Sequence, residues 1–138
     1  MMDKIMFITD FDMKRFSWLI SNSNRFSSID NRYLSELKDG LSKAVVVQPQ
    51  EIPSDVVTMS SKVRLKFLDS NEEITYTLVF PFDADLSQGK LSVLAPLGVA
   101  IIGCRIGDEA DWDVQSAKRK VRIEGILYQP EAAGNYYI

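Results

Sequence analysis

The period of the hydrophobic pattern changes once along this chain, and the change falls at Pro49 and Pro53. Before these prolines apolar residues recur at three-then-four spacing. After them, in Lys62-Val63-Arg64-Leu65-Lys66-Phe67, they alternate strictly with charged residues. A period near 3.6 is that of a helix and a period of 2 that of a strand with one wet face. The two prolines enforce extended backbone between the two patterns, so no helix continues through them. The chain therefore reads as α+β. Residues 1–48 are expected to form a helical hairpin, 49–54 a linker and 55–138 a sheet domain, and a fragment from residue 50 onward is expected to fold alone.

In the first part, Asp10 can cap a helix whose apolar positions are Met13, Phe16 and Ile20, and Leu34, Leu37, Leu41 and Ala44 continue the same spacing in a second helix. Both are narrow seams of the coiled-coil kind. Between them the polar stretch from Ser21 to Ser28 is rich in side chains that compete with helical backbone bonding, which predicts an antiparallel return with its tip near residues 24–30. Helices of about fourteen residues, at roughly 1.5 Å per residue, give arms only ~20 Å long. Phe26 at the tip either folds back along the hairpin or is available to a partner.

In the second part, Lys62–Phe67 and Ile74–Phe80 read as antiparallel partner strands around a turn at Asp69-Ser70-Asn71. A third strand runs from Leu91 to Leu94. Pro96 opens a short helix, where its missing N–H costs nothing, and Gly103 closes it; Leu97, Ala100 and Ile101 share a face that would cover the sheet. The last hairpin runs from Glu109 to Val114 and from Arg119 to Tyr128. A four-residue turn, Gln115 to Lys118, would set Trp112 against Val121, Asp113 against Lys120 and Asp111 against Arg122.

Composition narrows the chemistry. Sixteen Lys and Arg against 19 Asp and Glu give a net charge of −3, and the 138 residues hold no histidine and one cysteine, Cys104. A His-based triad or His-ligated metal is excluded, and Cys104 beside Ile102 and Ile106 reads as a packed thiol. No Walker or Gly-x-Gly-x-x-Gly loop is present. The charge is no footprint for direct nucleic-acid contact. No apolar run is long enough to span a bilayer and the start is no secretory signal, so a cytoplasmic protein is expected. Asp108, Glu109, Asp111 and Asp113 resemble an oxygen-rich metal site, but cross-strand pairing with the basic run Lys118, Arg119, Lys120 and Arg122 accounts for both clusters. Trp112, Tyr76, Phe80 and Phe82 read first as core, with a ligand pocket the lesser alternative. Tyr136-Tyr137-Ile138 is expected to pack on the domain surface or the hairpin. No cofactor, metal or catalytic residue is expected.

The string Ser92-Val93-Leu94-Ala95-Pro96-Leu97-Gly98-Val99-Ala100-Ile101-Ile102-Gly103, followed by Ile106-Gly107-Asp108-Glu109, resembles the C-terminal, FKBP-like domain of Gre-type transcription factors. Asp55-Val56-Val57-Thr58-Met59-Ser60-Ser61 and Tyr128-Gln129-Pro130-Glu131-Ala132-Ala133-Gly134 resemble the bacterial group of that family described as regulators of nucleoside diphosphate kinase. The likeness covers essentially all of the second part; over the hairpin it is one of architecture and size. It implies a short N-terminal antiparallel helical hairpin, a coiled coil, followed by an FKBP-like antiparallel sheet domain with one short helix.

It also implies a partner, RNA polymerase. In the family the FKBP-like domain docks on a coiled coil at the rim of the secondary channel while the hairpin points inward, and the docking loop falls here on Leu94, Ala95, Pro96 and Leu97. Cleavage factors commonly carry an acid and a serine before this proline, where this chain has Leu94 and Ala95. They also hold a catalytic metal with paired acids at a tip several turns farther out, where this tip offers Asp30 beside Arg25 and Phe26. The resemblance thus implies a non-enzymatic regulator that competes with longer Gre-type factors, touches DNA only through polymerase and affects nucleoside diphosphate kinase. A transcript-cleavage factor and, on fold analogy alone, a prolyl isomerase are the alternatives.

Overall fold

The computed structural model describes residues 6–22, 31–114, 117–136 and 138. Phe7–Thr9 form strand β1, Asp10–Ser21 helix α1, Asn31–Ser42 helix α2 and Val45–Val47 strand β2. Both helices stand where the spacing places them. The first begins one residue earlier than expected: Thr9, in extended backbone, is the N-cap, and its Oγ1 accepts from the Asp12 N–H at 3.0 Å. Asp10 lies instead in the first turn, where its charge suits the positive end of the helix. β1 and β2 pair in parallel, Phe7 with Val45 and Thr9 with Val47. Strands this short show no period, which is why the sequence does not announce them. Arg25, Phe26 and Asp30 lie outside the described residues.

Phe16 and Leu19 of α1 and Leu34, Leu37 and Leu41 of α2 are buried, and all belong to one core cluster with Val57, Met59, Leu78, Phe80, Leu97 and Ile101. The seam of α1 is therefore shared between its partner helix and the sheet: the Phe16 ring lies tilted against Phe80, centroids 5.6 Å apart. Between hairpin and sheet, Pro49–Glu51 form a 3-10 turn closed by the Gln48 N–H on the Glu51 carboxylate (3.2 Å), and Pro49 and Ile52 are buried.

Lys62–Phe67, Glu73–Val79, Lys90–Ser92, Glu109–Val114 and Ala117–Tyr128 form β3 to β7, in the spatial order β5-β4-β3-β7-β6, and Pro96–Ile101 form helix α3. Val63, Leu65 and Phe67 face the core, as their alternation requires. The sheet is mixed rather than antiparallel, because β5 runs parallel to β4, Thr77 against Lys90 and Val79 against Ser92. Two 3-10 turns, Pro81–Asp83 and Leu86–Gln88, carry the chain back along β4 as far as Thr77, where Gly89 at φ +73° turns it into β5. A tight hairpin could not have produced this.

The last hairpin differs from its expected register by two residues. Val114 pairs with Ala117, so Ala110 faces Val121, Trp112 faces Arg119 and Asp113 faces Lys118. Only residues 115 and 116 connect the strands, and a two-residue connection lets pairing run to the end of both. A shift of two changes partners and not faces, and Ala110 and Val121 are both buried in the core. β7 also shifts register twice against β3, between Lys62 and Val63 and between Arg64 and Leu65, and Leu127, skipped by one shift, is exposed.

Candidate functional site

The turn after β5 is built on backbone. Ser92 Oγ accepts from the Leu94 N–H (3.1 Å) and Ser92 O from the Ala95 N–H (3.1 Å), which shapes the turn before Pro96. Gly98 then lets α3 rest directly on the strand end: a Cβ there would lie 2.1 Å from Ser92 O and 2.9 Å from Val93 Cα. The four residues assigned to docking divide in two. Leu94 and Leu97, 7% and 1% exposed, are core residues, whereas Ala95 and Pro96 are half-exposed. Leu97 thus belongs with the face of α3 that covers the sheet and not with its surface. Ala95 is the N-cap and has no side-chain hydrogen bond to offer.

A buried polar network joins the hairpin, the segment after Pro53 and the end of β7. Asp12 on α1 is ion-paired with Arg15 and accepts the Met59 N–H through Oδ2 at 3.3 Å. Thr58 and Ser61 share a hydrogen bond of 2.8 Å, and the Thr58 hydroxyl donates to Glu131 Oε1 at 2.7 Å. Gln129 Nε2 donates to the carbonyls of Pro53 and Val56, both at 2.8 Å. Farther out, Arg105 binds the Asp55 carboxylate with Nε and Nη2, each at 3.0 Å, and lies over the Phe7 ring. The two stretches Asp55–Ser61 and Tyr128–Gly134 are therefore two halves of one joint. Burial pushes the Asp12 carboxyl up against the opposing pull of Arg15 and the Met59 N–H. Burial likewise raises Glu131, opposed by the Thr58 bond and reinforced by the nearby Asp12 charge. Sequence reading missed both carboxylates, because each depends on partners distant along the chain.

Of the four aromatics weighed for a pocket, Phe80 and Phe82 come together, and Arg15 and Trp18 of α1 join them around an open concavity. Tyr76 is not among its lining residues, and the Trp112 side chain lies outside the described part. Tyr136 is half-buried and Ile138 exposed. The acidic run is spread over separate partners: Asp108 accepts the Arg105 N–H (2.8 Å), and Asp111 lies 4.0 Å from Lys120. Arg119 pairs with Asp69 and stacks on Phe67, its carbon centre 4.0 Å from the ring centroid, while Arg122 pairs with Glu124. Among the described residues no cluster is placed to hold a metal ion, and no helix is long and apolar enough to cross a membrane.

Residues 52–128 match the family described as transcription elongation factor, GreA/GreB, C-term. The chain belongs to the GreA/GreB family. It is 39% identical over 99 residues to the regulator of nucleoside diphosphate kinase of Escherichia coli (strain K12), covering 71% of this chain and 73% of that protein. It is 35% identical over 105 residues to the transcription elongation factor GreA of Syntrophotalea carbinolica, covering 76% of this chain and 66% of that protein. A solved structure, the prokaryotic transcription elongation factor GreA/GreB from Nitrosomonas europaea, is 37% identical and superposes with a TM-score of 0.74 over 91% of this chain and all of that one. The GreA/GreB match begins at Ile52 and ends at Tyr128, so it takes in the Thr58–Ser61 half of the joint and stops short of Glu131.

Proposed function

We propose that this protein is a non-enzymatic regulator of transcription that binds RNA polymerase. Its sheet domain plays the part of the FKBP-like domain of Gre-type factors, docking on the coiled coil at the rim of the secondary channel, with Ala95 and Pro96 making contact and Leu94 and Leu97 holding the turn from beneath. The hairpin occupies the channel entrance and so competes with longer Gre-type factors. A regulatory effect on nucleoside diphosphate kinase belongs to the same reading, by analogy with the relative of that name.

The observation that carries this reading is the seat of α3 on Gly98, which fixes the Ala95–Pro96 turn to the sheet with no adjustable side chain between them. Rigid display of a small apolar turn suits recognition of another protein rather than turnover of a substrate. Copurification of the full chain with core RNA polymerase tests it, together with displacement of bound GreA as this protein is added. Failure to associate with core polymerase overturns the proposal.

A further inference from the structure

The outer face of the sheet carries a polar hollow lined by Lys62, Thr75, Thr77, Gln88, Gly89 and Leu127. The register puts the first three on one face: Lys62 stands directly opposite Thr77, and Thr75 opposite Arg64, the next residue of β3 on that face. With strands about 4.8 Å apart and same-face residues about 7 Å apart along a strand, these four positions enclose an area that one phosphate group fills. The turn at Gly89 brings Gln88 to one side, where Gly89 O accepts the Thr77 N–H at 2.7 Å. On the other side the register shift between Lys62 and Val63 skips Leu127 and turns it outward onto the rim, 53% exposed. Bulges that re-aim a side chain in this way recur beside active sites.

The lining is rich in donors and holds no acid. Among the described residues Lys62 forms no ion pair, and the side chains of Thr75, Thr77 and Gln88 make no hydrogen bond. Arg64 lies flat beyond them over Gly125, where a Cβ would stand 3.4 Å from Nη2, and its Nε is 3.7 Å from Glu73 Oε1. That Nε is buried, so Arg64 adds positive field to the hollow rather than a contact. The acids of this face stand at its other end. Glu73 and Glu109 share the row of Lys66 and Arg122, Asp111 lies one row farther against Lys120, and Glu124 is paired with Arg122. Asp85, before β5, is turned to the Ser87 N–H and hydroxyl.

We infer that this hollow binds a phosphate group carried by a small molecule. The Lys62 ammonium supplies the opposite charge, and the Thr75 and Thr77 hydroxyls and the Gln88 amide donate to the phosphate oxygens. Hydrogen bonds assisted by charge in this way are stronger than those between neutral groups. A terminal phosphate offers three acceptor oxygens to the four donor groups, where a carboxylate offers two. A nucleic-acid strand fits less well, because a backbone leaving the hollow toward β6 meets Glu73, Glu124, Glu109 and Asp111 in place of a continuous basic track. The site stands apart from the Ala95–Pro96 turn, which leaves the opposite end of β5.

Calorimetric titration of the full chain with sodium pyrophosphate, at an ionic strength held constant with sodium chloride, tests this in the wild type and in Lys62→Gln, Lys62→Arg, Thr75→Val and Lys38→Gln. Lys62 is exposed, and valine suits a strand as well as threonine does, so the variants keep the fold. The expected result is one saturable site per chain, weakened about tenfold or more by Lys62→Gln, the loss of one charged contact, and severalfold by Thr75→Val. Lys62→Arg, which keeps the charge, restores most of the binding, and Lys38→Gln, which removes a charge from α2, leaves it unchanged. Absence of saturable binding overturns the site. So does equal weakening by Lys62→Gln and Lys38→Gln, which marks a diffuse field, and so does binding that neither Lys62→Gln nor Thr75→Val weakens. A parallel titration uses a single-stranded RNA oligonucleotide. Binding tighter than that of pyrophosphate and lost in Lys62→Gln overturns the small molecule in favour of nucleic acid.

Discussion

Thr58 Oγ1 donates a 2.7 Å hydrogen bond to Glu131 Oε1 inside the protein, across 73 residues of chain. Met59, the next residue, donates its N–H to Asp12. Three segments are thereby tied at one place: the base of α1, the stretch after Pro53 and the end of β7. Two buried carboxylates in one joint make its stability depend on pH.

Replacing Glu131 with Gln keeps an oxygen for Thr58 and removes the charge. Because burial holds the Glu131 carboxyl above its ordinary value of 4.5, the folded state binds its proton more readily than the unfolded state. Its contribution is fully present below 4.5 and is lost as pH rises through the folded value. Glu131→Gln is therefore expected to be at least as stable as the wild type at pH 7, with the advantage vanishing below the ordinary glutamate range. Asp69 and Glu124, lowered by Arg119 and Arg122, drive stability the other way, and do so below the ordinary carboxylate values rather than above them. They are present in both proteins and cancel in the difference. Urea denaturation of the pair from pH 4 to 7 measures this; an advantage that grows toward acid contradicts the assignment.

Leu97→Asp places a carboxylate in the core beneath α3 and is expected to cost at least ~3 kcal/mol or to prevent folding. It therefore reports on the core, not on docking. Ala95→Ser supplies the missing cap of α3 and is expected to add about 0.5–1 kcal/mol. Thermal melting distinguishes the two at once. A Leu97→Asp variant that melts with the wild type shows that α3 is misplaced.

Gly98→Ala tests how closely α3 is seated. Since the added methyl would overlap Ser92 O, either α3 must lift or β5 must yield, at a cost of about 1–3 kcal/mol for overpacking. Chemical denaturation gives the number. A cost below ~0.5 kcal/mol shows a looser seat.

What the sequence made legible was local. Phe16, Leu37, Val63 and Leu65 are buried because each repeats at the period of its own element, and a period is visible without knowing the partner. Asp12, Thr58 and Glu131 have no such signature; their role exists only when segments 47 and 73 residues apart meet. The parallel entry of β5 was hidden for the same reason, since a β-rich run beside its neighbour reads equally well in either direction. Trp18 did carry a signal. It stands off the Met13-Phe16-Ile20 seam, and a large aromatic outside an apolar seam is the residue left facing out.

A fragment beginning at residue 50 is expected to be molten rather than folded. It would lose Phe16, Leu19, Leu37 and Leu41 from the common core and strip the Met59 N–H of its acceptor. The sheet would keep its strands but expose Val57, Met59, Phe80 and Ile101 where the helices lay. Retained far-ultraviolet dichroism, lost near-ultraviolet signal and dye binding mark that state. A sharp, cooperative melt would show the sheet domain to be independent.

The last expectation concerns transcript cleavage. Ser27→Asp with Asp30→Glu puts two acids where the sequence pattern places the hairpin tip, from which they could share a divalent metal with the polymerase active centre. If absent ligands were the only defect, the double variant would stimulate cleavage in backtracked complexes. It is expected not to. α1 and α2 have 12 residues each, about 18 Å at 1.5 Å per residue, and α1 is part of the common core as far along as Leu19. Little of that length is free to extend beyond the body of the protein. Cleaving members of the family carry hairpins several turns longer. A misplacement of even ~1 Å can cost a catalyst a hundredfold, so a shortfall of whole turns should abolish the effect. The same two acids on a hairpin lengthened by two matched heptads in each helix should do better. Cleavage by the short-armed variant, at a rate comparable with GreA, would show that reach is not what separates this protein from the cleavage factors.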